Sequence, residues 1–211
     1  MRLLVDALLD DQSLDPAKTR DYLQLMAVEN ARLSRLIDNF LTFSRLERNR
    51  HQFVFEAVSP SEVVQDTLIA MPPARRGDRG PSVEIAPDLP LIAADRDALV
   101  TALLNLLDNA YKYTPADERI SVRAFREGDY VVFAVDDNGI GIAPREQKRI
   151  FRRFYRVDQR LARETSGSGL GLSIVDAIVR AHGGSVHVRS RPDHGSTFAV
   201  YMPVTTDAAS V

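Results

Sequence analysis

A chain of 211 residues has room for one large domain, or for a domain with a smaller appendage, and 45% hydrophobic with 27% charged residues is the composition of a globular protein with a buried core. A formal net charge of -2 gives no general attraction to nucleic acid or to an anionic membrane surface; Arg75-Arg76 and Arg152-Arg153 are short enough to be solvated faces. The absence of cysteine excludes disulfides, zinc–thiolate sites and cysteine nucleophiles, and no apolar stretch reaches the length of a membrane span.

The first fifty residues hold one proline and no glycine, and their apolar residues recur at helical spacing. Leu3, Leu4, Leu8 and Leu9 read as the end of one helix, and Asp10 to Pro16 as a turn in which Asp15 caps the next helix and Pro16 opens it. That helix is expected from about Ala17 to about Asn49. Met26, Leu33, Leu36, Phe40 and Phe43 follow a three-four spacing, widened by Ile37 and Leu41. So long a helix, striped on one side, needs a partner. Two arrangements meet that need: a hairpin that dimerises into a four-helix bundle, or a hairpin packed on its own domain.

From His51 the texture becomes mixed. Gln52 to Val58 alternates as a strand, Pro60 to about Met71 reads as a helix, and Pro72 to Pro81 is a polar loop rich in Pro, Gly and Arg. Short strands are expected at Ser82 to Ala86 and Leu91 to Ala93, after which Asp95 caps an apolar helix reaching about Tyr113. Arg119 to Arg126 and Tyr130 to Asp136 form a β-hairpin turning at Glu127-Gly128-Asp129. A helix follows Pro144, a loop rich in Arg, Ser and Gly runs from Val157 to Ser168, and a further helix covers Leu170 to His182. Ser185 to Arg191 and Thr197 to Met202 close the chain as strands before a tail at 205–211. This order implies an α+β fold, a two-layer α/β sandwich with helices on one face of a mixed sheet, preceded by the helical hairpin.

Four segments carry chemistry. On the helix before Tyr113, Asn105, Asn109 and Lys112 stand at i, i+4 and i+7 and so share a face, opposite Leu103, Leu104, Leu106 and Leu107. Two carboxamide oxygens and an ammonium suit a hydrated hard cation with phosphate, although a plain solvent face has the same composition. Asp136-Asp137-Asn138-Gly139-Ile140-Gly141-Ile142 follows an apolar strand. Its glycines let backbone approach a ligand and its carboxylate can accept from an exocyclic amine, while Asp-Asn-Gly is also ordinary turn chemistry. Ser166-Gly167-Ser168-Gly169-Leu170-Gly171-Leu172 opens a helix, where free backbone N–H groups suit a polyphosphate. It lacks the Lys-Ser or Lys-Thr of a Walker loop and the preceding strand of a dinucleotide fingerprint, so a flexible loop is the plain alternative. Ile150-Phe151-Arg152-Arg153-Phe154-Tyr155-Arg156 offers arginines toward phosphate; core packing is the simpler expectation for Phe151 and Phe154.

In this order, an Asn helix, an Asp-Gly turn, a Phe segment and a Gly-Leu-Gly helix start resemble the N, G1, F and G2 boxes of two-component sensor histidine kinases. Gly195-Ser196-Thr197-Phe198 is similar to that family's closing segment, and the resemblance covers about Gln52 to Pro203. The resemblance implies a Bergerat-type ATP-binding fold with a mobile lid at about Val157 to Ser168. It implies Asn109, assisted by Asn105, as Mg²⁺ ligand, Lys112 near phosphate and Tyr113 against the nucleotide. Asp137 would accept the adenine amino group, with Gly139, Gly141 and Ile142 around the base and Thr197 supporting that contact. Tyr155, Arg156, Gly167, Ser168, Gly169, Leu170, Gly171 and Leu172 would meet the rest of the ATP. ATP-hydrolysing relatives of the superfamily carry Glu where Asn105 stands; Asn is no general base, which suits transfer to a protein side chain.

Residues 1–50 resemble part of the family's dimerisation and histidine-phosphotransfer domain, with 51–204 as the catalytic domain. The family's acceptor His lies on the first helix, but the histidines here are His51, His182, His187 and His194. His51 reads as a linker residue, His182 as an ordinary helix end, and His187 and His194 as strand and turn residues. Either the chain is a piece of a longer kinase, which a helix beginning without a cap favours, or it is a kinase-like protein without the acceptor. The expected activity is that of a histidine kinase module that binds Mg-ATP without phosphorylating itself. An ATP-sensing or regulator-docking module is the alternative, and a serine kinase of the anti-sigma type fits the hairpin poorly. The implied partners are a response regulator receiver domain and a second copy of the chain, with no nucleic acid. The implied location is the cytoplasm, with any membrane attachment upstream of Met1.

Overall fold

The computed structural model describes residues 18–27, 30, 37, 41, 52–71, 80–114, 119–157 and 168–205. The rest of the expected 1–50 hairpin, His51, residues 72–79 of the polar loop, residues 115–118, residues 158–167 of the expected lid with Gly167, and the 206–211 tail lie outside the described residues. Residues 18–27, 30, 37 and 41 are helical as expected, and Ile37 and Leu41, from the expected apolar stripe, are exposed.

From residue 52 onward, the described residues form two sheets and four helices. β1 (Glu56–Val58) pairs antiparallel with β3 (Ile92–Ala94). The main sheet has the order β2 (Ser82–Ile85), β4 (Ile120–Glu127), β5 (Tyr130–Asp137), β7 (Ser196–Pro203), β6 (Ser185–Ser190). Only β2–β4 is a parallel pair. The helices are α1 (Pro60–Ala70), α2 (Arg96–Tyr113), α3 (Pro144–Gln147) and α4 (Gly171–Ala181). α2 packs against both α1 and α4. The layered α/β sandwich expected from the sequence is thus present.

Local chemistry explains the boundaries. Pro60 opens α1, where a missing N–H costs nothing. The Asp95 carboxylate accepts from Ala98 N–H at 2.9 Å, satisfying a free donor at the start of α2. Between β4 and β5, Gly128 takes φ +59° at the first central position of a two-residue turn, where a type II′ hairpin needs glycine. β7 alternates buried and half-buried residues along its whole length. β5 does not: Val131 to Val135 are all buried. Val131, Phe133 and Val135 join the core beneath the helices, whereas Val132 lies on the other face between Phe125 and Tyr201. The core itself joins Leu99, Leu103, Leu106 and Leu107 of α2 to Ile174 and Ile178 of α4 and to that inner face of the sheet; Leu104 only packs at its edge.

Three expectations need correction. The strand foreseen from Gln52 begins only at Glu56, because the residues before it are held otherwise: Val54 N–H donates to the Asp95 carboxylate at 3.0 Å. His182 is more than a helix end. It is buried, its Nε2 accepts from Asp95 N–H at 2.9 Å, and its Nδ1 lies 2.7 Å from the Ile178 carbonyl. An N–H donor at Nε2 fixes the neutral tautomer with its proton on Nδ1. The Phe53 and Phe55 rings pack on this imidazole at 5.0 and 4.9 Å. Phe154, expected in the core, is 63% exposed at φ +59°, because the chain reverses there and its N–H reaches Gly169 O at 3.0 Å; Phe151 does pack against the core.

Candidate functional site

One pocket lies between α2, the end of β5, the start of α4 and the segment after α3. α2 supplies its first wall. Helical periodicity puts Asn105, Asp108, Asn109, Lys112 and Tyr113 on one stripe, and all five line the pocket. Asn105 Nδ2 donates to Thr101 O at 2.9 Å, which fixes its amide orientation and leaves Oδ1 toward Gly171; a Cβ on Gly171 would lie 2.9 Å from that oxygen. Lys112 Nζ sits 4.8 Å from the Tyr113 ring centroid.

The floor is Asp137. Its Oδ1 accepts from Gly139 N–H at 2.8 Å and Ser196 N–H at 3.2 Å, and among the described residues no donor reaches Oδ2. Burial pushes this carboxyl above its ordinary range, with the neighbouring Asp136 charge in the same direction, against the two N–H bonds. Asp136, on the opposite face, goes the other way. Burial there would raise it, but hydrogen bonds from Arg123, Thr197 and Ser121 and the Arg123 charge together hold it below the usual carboxylate range.

The loop Ile140 to Ile142 is locked beside this floor. Gly141, at φ +67°, lies so close to the Arg191 carbonyl that a side chain there would overlap it. Ile142 N–H donates to Ser190 Oγ at 2.7 Å, Ser190 Oγ–H to Gly195 O at 2.8 Å, and Gln147 Nε2 bonds both the Ile142 and Ser190 carbonyls at 3.1 and 2.9 Å. Ile140, Ile142, Ile150 and Phe198 give this end an apolar lining.

The other end is polar and built from backbone. Tyr155, Arg156, Ser168, Gly169, Gly171 and Leu172 line it, where α4 begins without a side-chain cap. Uncapped N–H groups and the helix dipole favour an anion there. A pocket with one orphan carboxylate oxygen among apolar groups, and carboxamides, an ammonium and a helix start at its far end, suits a flat nitrogenous base joined to phosphates.

Of the residues singled out from sequence, Asn105, Asn109, Lys112, Tyr113, Asp137, Gly141, Ile142, Tyr155, Arg156, Ser168, Gly169, Gly171 and Leu172 come together. Gly139 is buried under the Tyr113 carbonyl and Leu170 belongs to the core. Thr197 is misplaced: strand register sets it across from Asp136, to which its hydroxyl donates at 2.7 Å, whereas Ser196 stands across from Asp137. Alternation counted back from the core residue Phe198 gives that parity. Asp108, Ile140, Ile150, Ser196 and Phe198 also line the pocket and were not named as ligand residues, as does Val157 at the start of the expected lid; Asp108 lies three residues from Asn105, on the same helical stripe.

Comparisons with known proteins agree on one kind of relative. Residues 94–206 match the family described as histidine kinase-, DNA gyrase B-, and HSP90-like ATPase. The sensor-like histidine kinase SenX3 of Mycolicibacterium smegmatis is 34% identical over 100% of this chain and 54% of its own length; that of Mycobacterium tuberculosis is 36% identical over 99% and 50%. The chain therefore spans about half the length of these relatives. Among solved structures, full-length ShkA in complex with AMPPNP is similar at TM-score 0.73 and 30% identity, over 98% of this chain and 43% of that one. The mycobacterial sensor histidine kinase MprB is similar at TM-score 0.60 and 31% identity, over 72% and 98%.

Proposed function

Because the chain belongs to the histidine kinase-, DNA gyrase B- and HSP90-like ATPases, as the catalytic part of a sensor histidine kinase, we propose that it binds Mg-ATP in this pocket and donates the γ-phosphoryl group to a histidine. The observation that carries the reading is the split Asp137 carboxylate. One oxygen is tied by two backbone N–H groups and the other is left to accept from an exocyclic amine. Tyr113, Gly141, Ile142 and Ser196 surround that end, and Arg156, Ser168, Gly169 and the first N–H groups of α4 take the phosphates.

A magnesium ion fits the donor set. Asn105 offers a hard oxygen oriented by its bond to Thr101, and Asn109 follows one turn on. Asn109, assisted by Asn105, would hold the ion together with substrate oxygens, since both side chains line the pocket. Bound there, it would neutralise phosphate charge. Asn105 cannot take a proton from water, which favours transfer to a protein group.

The receiving histidine is proposed to lie on a helix outside these 211 residues. His182 is buried with its ring nitrogens engaged by Asp95 N–H and the Ile178 carbonyl, and His187 pairs with Ser185 on β6. The onward acceptor is then a response regulator receiver domain, with residues 1–50 as part of a dimerising hairpin and 51–204 as the catalytic unit, acting in the cytoplasm. No helix among the described residues is long and apolar enough to cross a membrane.

A transfer assay in trans tests this. The chain is mixed with γ-labelled ATP and a separate helical hairpin bearing an acceptor histidine. Label is expected on the hairpin, none on this chain, and little with Asn109→Ala. Nucleotide binding without transfer, or label on a histidine of this chain, would contradict it.

A further inference from the structure

We propose that Glu146 is a positioning residue for the nucleotide site, holding Tyr155 and Arg156 at the phosphate end of the pocket through the Tyr155 hydroxyl. The inference rests on the nucleotide reading above and adds a residue to it.

Glu146 is the one acidic side chain buried among the described residues, 7% exposed on the short helix α3. A buried carboxylate persists where its charge is compensated. Here the Tyr155 hydroxyl donates to its Oε2, and Arg149 Nη1 lies 3.5 Å from the same oxygen. Arg145 Nε stands 3.4 Å from Oε1, but that arginine is 87% exposed and its pairing is screened by water. Arg149 also grips the other side of the pair, its guanidinium 4.6 Å from the Tyr155 ring centroid. The ring is therefore fixed by its hydroxyl and by its face.

Fixing this ring also places the neighbouring backbone, because Tyr155 and Arg156 both line the pocket. They come directly after Phe154, whose φ of +59° is a conformation that a bulky residue keeps only where its surroundings over-determine it. Two anchors do so: the Phe154 N–H bond to Gly169 O at 3.0 Å on one side, and Glu146 on the other. Gly169 answers with φ +73° and an approach so close that a Cβ would lie 2.9 Å from Phe154 Cα. The Tyr155 segment is thus clamped between the buried acid and the glycine that opens the phosphate end. The hydrogen bond to Glu146, with burial second, raises the Tyr155 hydroxyl above its ordinary range, as a held donor requires.

The test compares Glu146→Ala, Glu146→Gln, Tyr155→Phe and the Glu146→Ala/Tyr155→Phe double variant in the full chain. Affinities for Mg-ATP are read by calorimetry and for adenosine by ligand-observed NMR. Loss of one hydrogen bond to a charged group corresponds to about tenfold in affinity. We expect Glu146→Ala and Tyr155→Phe each to weaken ATP by about that factor, with adenosine held within about twofold. Glu146→Gln keeps an oxygen acceptor for the hydroxyl and should retain most of the affinity. The double variant should be no weaker than the worse single, since both changes cut one connection. ATP affinity unchanged in Tyr155→Phe, additive losses in the double variant, or equal losses for ATP and adenosine would each overturn the proposal. Should Glu146→Ala fail to fold, Tyr155→Phe, which removes a single oxygen, decides alone. If the unaltered chain binds neither ligand, the nucleotide reading itself falls, and this proposal with it.

Discussion

Asp136 and Asp137 are neighbours in sequence, yet strand alternation sends them to opposite faces and opposite chemistry. Asp136 is held ionised by Arg123, Thr197 and Ser121 on the outer face, while Asp137 sits in the pocket with its carboxyl pushed up by burial. The sign of each shift sets a pH dependence. Asp136, lowered on folding, contributes stability that is present above the unfolded carboxylate value of about 3.9 and is lost as pH falls through its folded value. The urea midpoint is therefore expected to drop below about pH 4, and to drop less in Asp136→Asn. The register makes a second prediction: Ser196→Ala, which keeps the N–H to Asp137 but removes the hydroxyl bonded to Ser190 Oγ beside the pocket, should weaken adenine-nucleotide binding, whereas Thr197→Ala should leave affinity alone and cost about 1 kcal/mol of stability, measured by denaturation. Equal affinity losses from both would mean that the register does not decide the role. Thr197 shows how a sequence reading goes astray at this scale. Its type is right and its neighbourhood is right, but one residue of parity moves it through the sheet.

At the scale of elements, the signals that are local in the chain were legible and those that join distant segments were not. The Asp95 cap, the Pro60 helix start and the Gly128 turn are each written within four residues. The joint that ties the residues before β1 to the ends of α2 and α4 is not. His182 and Asp95 are 87 residues apart, and nothing near His182-Gly183-Gly184 distinguishes a buried clasp from an ordinary helix end. His182→Ala would leave Asp95 N–H without its acceptor and Phe53 and Phe55 without their common partner. The expected loss is about 2–3 kcal/mol in chemical denaturation, with nucleotide affinity nearly unchanged because the joint lines no part of the pocket. A loss below about 0.5 kcal/mol would show that water replaces the imidazole at no cost. Glu146 escaped notice for a similar reason. A charged residue on a four-residue helix reads as solvated until Tyr155, nine residues on, folds back over it.

At the scale of the whole molecule, four short segments spread from residue 105 to residue 172 become one pocket because the sheet order and the packing of α2 on α4 bring them together. Their order along the chain made the family legible; the five-strand order β2-β4-β5-β7-β6, which places Ser196 beside Asp137, depends on non-local pairing that no window of sequence encodes. The central claim is that Asp137 selects adenine at one end while the Asn face and the start of α4 take Mg-phosphate at the other. Calorimetric titration of the full chain with ATP, with and without magnesium, beside Asp137→Asn, tests it most directly. One-to-one binding is expected, strengthened by magnesium and weakened by at least about tenfold in Asp137→Asn, whose fold stays intact. No binding by the unaltered chain, or equal affinity in Asp137→Asn, would contradict it.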